Sequence, residues 1–205
     1  MRAGAARDTY ERVLVAAART AEPAVAGLLA WAPLRRALAR RALRAWAADE
    51  APLVVCLGNI NRSPFAAALA RARGCSHARS SGFHPVAGRH PPAATLAAAS
   101  ARGVDLARHR SSVVDDVALA SEPAIFVFDL QSVARVAVRS VGALRRTHLL
   151  GAMAAHGGVL IADPHGLGEA TLERVLDQIE GSLELACAPA AHEPSDGAHA
   201  AEEQS

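Results

Sequence analysis

Cys56, Arg62 and Ser63 stand close together in the stretch LVVCLGNINRSP, residues 53–64. A cysteine that ends an apolar run can be a nucleophile, because the thiolate is the attacking form. An arginine six residues later offers a planar fork that grips two oxygens of a tetrahedral anion at once. Between them lie Gly58 and Asn59, residue types at ease in unusual backbone angles. A loop of this kind that feeds a helix directs free N–H groups and the positive end of the helix dipole at an anion. The same field favours thiolate over thiol. Sulfur anion, amides and guanidinium around one centre describe cysteine-based phosphoryl transfer.

Such chemistry needs an acid, since an alkoxide or phenolate leaves poorly unless it is protonated as its bond breaks. Asp163 in IADPHGLG is the candidate. It follows an apolar run and is fixed by Pro164, although an acid–proline pair is also an ordinary turn signal. In an open α/β sheet, ligands bind beyond the carboxyl ends of the strands, where both segments belong if each follows a strand.

The surrounding pattern supplies those strands. Residues 53–57 (LVVCL) and 124–128 (AIFVF) read as buried strands, 78–82 (ARSSG) as a weaker one, and 147–150 (THLL) and 159–162 (VLIA) as short ones. Between them lie helical stretches. Residues 63–74 have Ser63 as cap, Pro64 in the first turn and Gly74 at the close. Residues 91–103 end at a glycine, 132–141 follow, and 168–187 form a long last helix. The alternation predicts an α/β, three-layer fold: a central four-stranded parallel sheet with helices on both faces, plus an N-terminal helical extension. The expected division is 1–50 extension, 51–188 catalytic domain and 189–205 a disordered acidic tail.

Within residues 8–48 two helices are predicted, broken near Pro23 or Pro33. The segment LRRALARRALRAWA sets Leu34, Leu38 and Leu43 against a cluster of arginines. It reads either as a cap packed on the domain or as a basic amphipathic helix touching an anionic membrane, with Trp31 and Trp46 at the boundary. Charge agrees with a graded surface: nine arginines against five acids in residues 1–50, four acids and no arginine in 188–205. The formal net charge of +2 argues against a nucleic-acid partner. All 22 basic residues are arginine, which points to a bacterial coding bias. Three scattered cysteines, with no spacing typical of a metal site or disulfide framework, fit a reducing cytoplasm. No metal or organic cofactor is expected, and the chain lacks G-x-G-x-x-G and H-E-x-x-H motifs.

The string strand–C-L-G-N-I-N-R-S-P–helix with a later D-P resembles the low-molecular-weight protein tyrosine phosphatases. The likeness runs over residues 52–187 and includes S-S-G at 80–82 and D-L-x-x-H-R-S at 105–111. It implies that Cys56 is the nucleophile of a phosphocysteine intermediate, Arg62 the phosphoryl clamp and Asp163 the general acid, then base. Leu57, Gly58, Asn59, Ile60, Asn61, Arg62 and Ser63 would bind phosphate. Ser63 would also hydrogen-bond the thiolate. Asn59, in a left-handed conformation, would be supported by Ser80 and His109. The implied partner is a phosphotyrosine-bearing protein such as a bacterial tyrosine kinase, with phosphate or arsenate competing for the loop.

Four positions depart from the family pattern. Asn61 replaces a second loop cysteine, so the reversible disulfide it would form with the nucleophile is ruled out. His165 and Gly166 stand where tyrosine-directed members carry aromatic rings, leaving Phe83 and His84 to supply a wall. Phe128 occupies a position where methionine is common. Ile60 is the residue type of tyrosine-directed members; threonine there marks relatives that act on phosphoarginine. Two alternatives compete: a thioredoxin-coupled arsenate reductase of the same fold, which needs two further close cysteines, and a non-catalytic phospho-binding module.

Overall fold

The computed structural model describes residues 2–75 and 77–187, so the predicted tail at 189–205 lies outside the described residues. The chain opens with two helices, α1 (Arg2–Leu29) and α2 (Ala32–Ala48), and then enters strand β1 (Leu53–Cys56). Helix α3 (Arg62–Ala72) leads to β2 (Arg79–Gly82), and α4 (Ala93–Ala101) and α5 (Asp116–Ser121) precede β3 (Ile125–Val127). Helix α6 (Leu130–Arg139) and a 3-10 turn (Val141–Arg146) lead to β4 (Thr147–Leu149). A second 3-10 turn (Leu150–Met153) and an irregular segment end in α7 (Glu169–Glu184).

The four strands are all parallel, in the order β2-β1-β3-β4. Leu53 lies opposite Arg79 on one side and Ile125 on the other; Ile125 in turn faces Thr147. Neighbours branch to both sides of β1, so the turn after β1 sits at a topological switch point, the place where such sheets bind ligands. Side-chain alternation assigns the layers. Val54, Cys56, Phe126 and Phe128 join a core with residues of α3, α4 and α7. Leu53, Val55, Ile125 and Val127 join one with Leu119 of α5 and Val136 of α6. Burial on both faces explains why β1 and β3 read as unbroken apolar runs.

The helical extension shares this core. Trp46 is buried and meets the ring of Phe126 edge-on, with centroids 4.8 Å apart and planes 71° apart. Truncating such a residue costs about 3–5 kcal/mol, a large part of the 5–15 kcal/mol typical of a domain. Helix α1 packs along α6, and α2 packs on β4 and the second 3-10 turn. The expected boundary role of Trp46 is thereby overturned: its ring is inside, while Trp31 is 62% exposed.

Of the local expectations, the helix break near Pro33 holds and two others are corrected. The helix break falls at Ala30–Trp31, ahead of Pro33 in the first turn of α2, whereas Pro23 lies within α1. A first-turn proline costs nothing, since its missing N–H would be unpaired there anyway. Ser63 is not a cap: α3 starts at Arg62 behind Asn61, which makes no side-chain capping bond. Residues 159–162 form no strand. They run irregularly, tied to the end of β3 by the Ile161 N–H donating to the Phe128 carbonyl at 2.8 Å. The short helix α5 went unread, because DVALAS has too few residues for a periodic signal.

Candidate active site

Strand β1 ends at Cys56, buried to 3% exposure, and the loop that follows folds back over its sulfur. The Asn59 N–H donates to Sγ at 3.2 Å, and the Ser63 hydroxyl lies 3.0 Å from it. To make that turn Asn59 takes φ of +50°, and among the described residues it is the only non-glycine with positive φ. Its side chain fixes the conformation. The amide Nδ2 donates to the hydroxyls of Ser63 at 2.9 Å and Ser80 at 3.0 Å, while Oδ1 accepts the Ser112 N–H at 2.8 Å. Gly82 closes this side of the loop; a Cβ there would come within 2.9 Å of Asn59 Cβ and of the Leu57 carbonyl oxygen. The S-S-G signal thus reflects a close approach that only glycine allows.

Two outward carbonyls of the loop are held by basic side chains. The Asn59 carbonyl accepts from His109 Nε2 at 2.8 Å. Burial lowers the pKa of His109 from its ordinary value, with the nearby Arg71 and Arg110 charges adding to the effect and the bond to Asn59 opposing it. The Gly58 carbonyl accepts from Arg89 Nη2 at 2.6 Å. That carbonyl belongs to the same peptide unit as the Asn59 N–H on the sulfur. A charged donor on one end polarises the other, so Arg89 strengthens the contact to Cys56 without touching it.

Arg62 begins α3 with its side chain 2% exposed. Nη1 donates to Asp129 Oδ2 at 2.7 Å and to the Ile161 carbonyl at 2.9 Å; Nη2 lies 3.0 Å from Asp163 Oδ2. Its Nε is buried with no protein partner, a donor left for an anion. Burial alone would make the guanidinium easier to deprotonate, but Asp129, Cys56 and Asp163 outweigh it and raise its pKa. Asp129 is the reciprocal case. Burial pushes its carboxyl up, and Arg62 together with the Ser132 N–H, 2.7 Å from Oδ1 at the start of α6, pulls it below the usual range. Asp163 is different in kind. Its side chain is 39% exposed, and its own backbone neighbour His165 donates to Oδ1 at 3.3 Å.

Cys56, Arg62 and Asp163 line one cavity of about 140 Å³, walled by Ile60, His84, Arg89 and His165. The structure therefore gathers the loop residues 56–63 with Asp163 at the carboxyl edge of the sheet, and sets Ser80 and His109 behind the loop. Phe83 is not in this wall. It is buried in the other core, under the guanidinium of Arg139, 5.1 Å from its ring centre. Asn61, in the place of a second cysteine, accepts from the Thr95 hydroxyl at 2.8 Å. Cys75 and Cys187 follow the far ends of α3 and α7. Eleven residues of α3 place Cys75 about 16 Å away along that helix.

Arg89, Asp129 and Thr95 were missed from sequence. Asp129 had a usable signal, an acid directly after a buried strand and three residues before Ser132 at a helix start. Arg89 and Thr95 had none, because each reaches the loop only through the tertiary fold.

A thiol cradled by a loop amide and a hydroxyl, beside a buried guanidinium and an exposed carboxyl, on a parallel α/β sheet, defines a cysteine-based phosphatase. The chain belongs to the low molecular weight phosphotyrosine protein phosphatase family, whose pattern matches residues 52–191. By that membership it is a protein-tyrosine phosphatase. Similar solved structures include the tyrosine phosphatase Wzb from Escherichia coli K30 in complex with sulphate (22% identity, TM-score 0.61, covering 67% of this chain and 96% of that one). The tyrosine phosphatase amsI of Erwinia amylovora is similar at 24% identity and TM-score 0.62, over 67% of this chain and 90% of that one. The YwlE arginine phosphatase from Geobacillus stearothermophilus matches at 23% identity and TM-score 0.60, again over 67% and 90%. No curated protein matches the chain.

Proposed function

We propose that the chain hydrolyses phosphotyrosine in proteins through a phosphocysteine intermediate. The observation that carries this reading is the shared cavity of Cys56, Arg62 and Asp163, with the Arg62 Nε donor unpaired. The sulfur of Cys56 attacks phosphorus from the loop side while Arg62 and the loop N–H groups hold the phosphoryl oxygens. As the P–O bond breaks, Asp163 gives its proton to the leaving phenolate oxygen. A water then attacks phosphorus, Asp163 takes its proton, and the P–S bond breaks with the sulfur leaving as thiolate. The Ser63 hydroxyl, 3.0 Å away, stabilises that thiolate. For this cycle Asp163 must leave Arg62, and its exposed, loop-borne position lets it do so.

Ile60 on the wall favours an aromatic ester over phosphoarginine, since an apolar side chain offers a guanidinium no partner. His84 and His165 supply flat imidazole faces for the ring in place of the expected aromatics. The arsenate-reductase alternative is weakened by the position of Cys75 and Cys187 at distant helix ends, where neither reaches Cys56. The phosphocysteine cycle, the tyrosine preference and the acceptance of phosphate or arsenate by the loop are tested together by a substrate panel. Wild type is expected to release phosphate from phosphotyrosine peptides faster than from phosphoarginine peptides, and inorganic phosphate and arsenate are expected to compete. Faster release from phosphoarginine overturns the substrate assignment. Thioredoxin-dependent arsenate reduction favours the reductase, and tight phosphopeptide binding with no turnover favours a binding module.

A further inference from the structure

The N-terminal helix pair treats its charges differently on its two sides. Toward the domain they are paired: Glu11 with Arg135 at 3.5 Å and Arg139 at 2.7 Å, and Arg7 with Asp116 at 2.6 Å. Arg19 donates to Gln131 at 3.3 Å. The outer side of α1 carries Tyr10, Val13, Ala17, Ala24 and Leu28 at helical spacing, all exposed, with no charge on that line. The line ends at the corner between the helices, whose axes differ by 101°. There Leu28 is 60% and Trp31 62% exposed, side by side in sequence with α2.

Helix α2 holds five arginines and no acid. Two turn inward, Arg35 to the Ala154 carbonyl at 3.1 Å and Arg41 to the Arg145 carbonyl. Arg36, Arg40 and Arg44, four residues apart, form an exposed row. Arg36 donates to the Ala32 carbonyl of its own helix, and among the described residues none of the three pairs with an acid.

We propose that this corner is a docking surface for an anionic lipid bilayer, with Leu28 and Trp31 entering the headgroup layer and Arg36, Arg40 and Arg44 meeting lipid phosphates. An exposed tryptophan and leucine at the corner, with an unpaired cationic row running from it along α2, suit an interface that is apolar and negatively charged at once. A nucleic acid would match the arginines but gives Leu28 nothing to bury against. A second copy of the chain would match the apolar line but leaves the row uncompensated. No single helix among the described residues is long and apolar enough to cross a membrane, and the contact proposed is a peripheral one. Each arginine near an anionic surface contributes about fivefold in affinity, so the row contributes on the order of a hundredfold. Leu29 packs on Ala152 and Val159, so the corner is held firmly against the domain. On the phosphatase reading above, the substrates are then phosphorylated proteins at the membrane; the docking itself stands apart from that reading.

The test is vesicle co-sedimentation of the full chain, acidic residues 188–205 included, on phosphatidylglycerol–phosphatidylcholine and on phosphatidylcholine alone. Binding is expected to the anionic vesicles only, and to be lost at about 1 M salt, where charges are screened within about 3 Å. The triple variant Arg36→Gln, Arg40→Gln, Arg44→Gln is expected to bind on the order of a hundredfold more weakly, with p-nitrophenyl phosphate turnover and melting unchanged. In the unaltered chain a brominated lipid is expected to quench Trp31 while buried Trp46 stays bright. Equal binding to neutral vesicles, no binding, an unweakened triple variant or no quenching overturns the proposal. So does preference for an RNA duplex over vesicles, or a dimer in light scattering that Trp31→Ser dissolves.

Discussion

The two segments that close the cavity are built in opposite ways. In the loop 56–63, Cys56, Asn59, Asn61, Arg62 and Ser63 are buried, and the outward polar atoms are braced: Asn59 by Ser80, Ser112 and His109, Gly58 by Arg89, Asn61 by Thr95. The segment that brings Asp163 runs from the second 3-10 turn to α7 without regular structure, and its carboxyl is more than a third exposed. The loop that holds the phosphoryl group in the proposed cycle is over-determined by its neighbours. Asp163, the proton donor and acceptor of the proposed cycle, is tied to the core by little beyond Arg62. Preorganisation is placed where charge is stabilised, and freedom where a side chain must move.

Removing one residue from each side breaks this comparison most sharply. Arg62→Ala takes out the clamp and leaves Asp129 buried and unpaired. Activity is expected to fall by about 10³-fold or more, and stability by about 3–5 kcal/mol, read from turnover and from denaturant melts of the same sample. Asp163→Asn is expected to lose on the order of 10²–10⁴ in kcat on phosphotyrosine, and much less on p-nitrophenyl phosphate, whose leaving group needs no proton. Its melt should match wild type. Equal stability losses in the two variants would falsify the contrast between a braced loop and a free acid.

A smaller effect sharpens the comparison within the loop. Arg89→Gln removes the charged donor on the Gly58 carbonyl. It is expected to weaken phosphate and vanadate inhibition about tenfold, consistent with the ~1.5–3 kcal/mol of a hydrogen bond to a charged group partly replaced by the amide. Arg89→Lys should restore part of it. An unchanged inhibition constant with lowered stability alone would make Arg89 merely structural.

A further effect lies outside both segments. Burial, helped by the Arg41 charge, lowers the pKa of His148 to about 4 from an ordinary 6.5. The unfolded chain takes up that proton near 6.5 and the folded one does not, so the contribution is whole above 6.5 and is lost as pH falls toward 4. Melting temperature should drop from pH 7 to pH 5 more in wild type than in His148→Asn; equal drops remove His148 from the account.

What was legible in the sequence follows the same division. Cys56, Arg62, Ser63 and the fold class could be read because strand, loop and helix are consecutive and each leaves a local signal. Asp163 was found because Pro164 marks its turn. Arg89 was not, since G-R-H in a proline-flanked turn looks like any surface loop until folding lays it on Gly58. Residues 159–162 were misread as a strand because apolar burial alone does not distinguish ladder pairing from an extended support. Here the Ile161 carbonyl serves Arg62 instead.

The shared grip of Cys56 and Arg62 on one phosphorus is tested most directly by trapping. Asp163→Ala is mixed with p-nitrophenyl phosphate, quenched in acid within a turnover, and digested for mass spectrometry. The expected result is a phosphate on the peptide that carries Cys56, absent when Cys56→Ser is added. Turnover with phosphate on another residue, or with none on Cys56 under these conditions, contradicts the account.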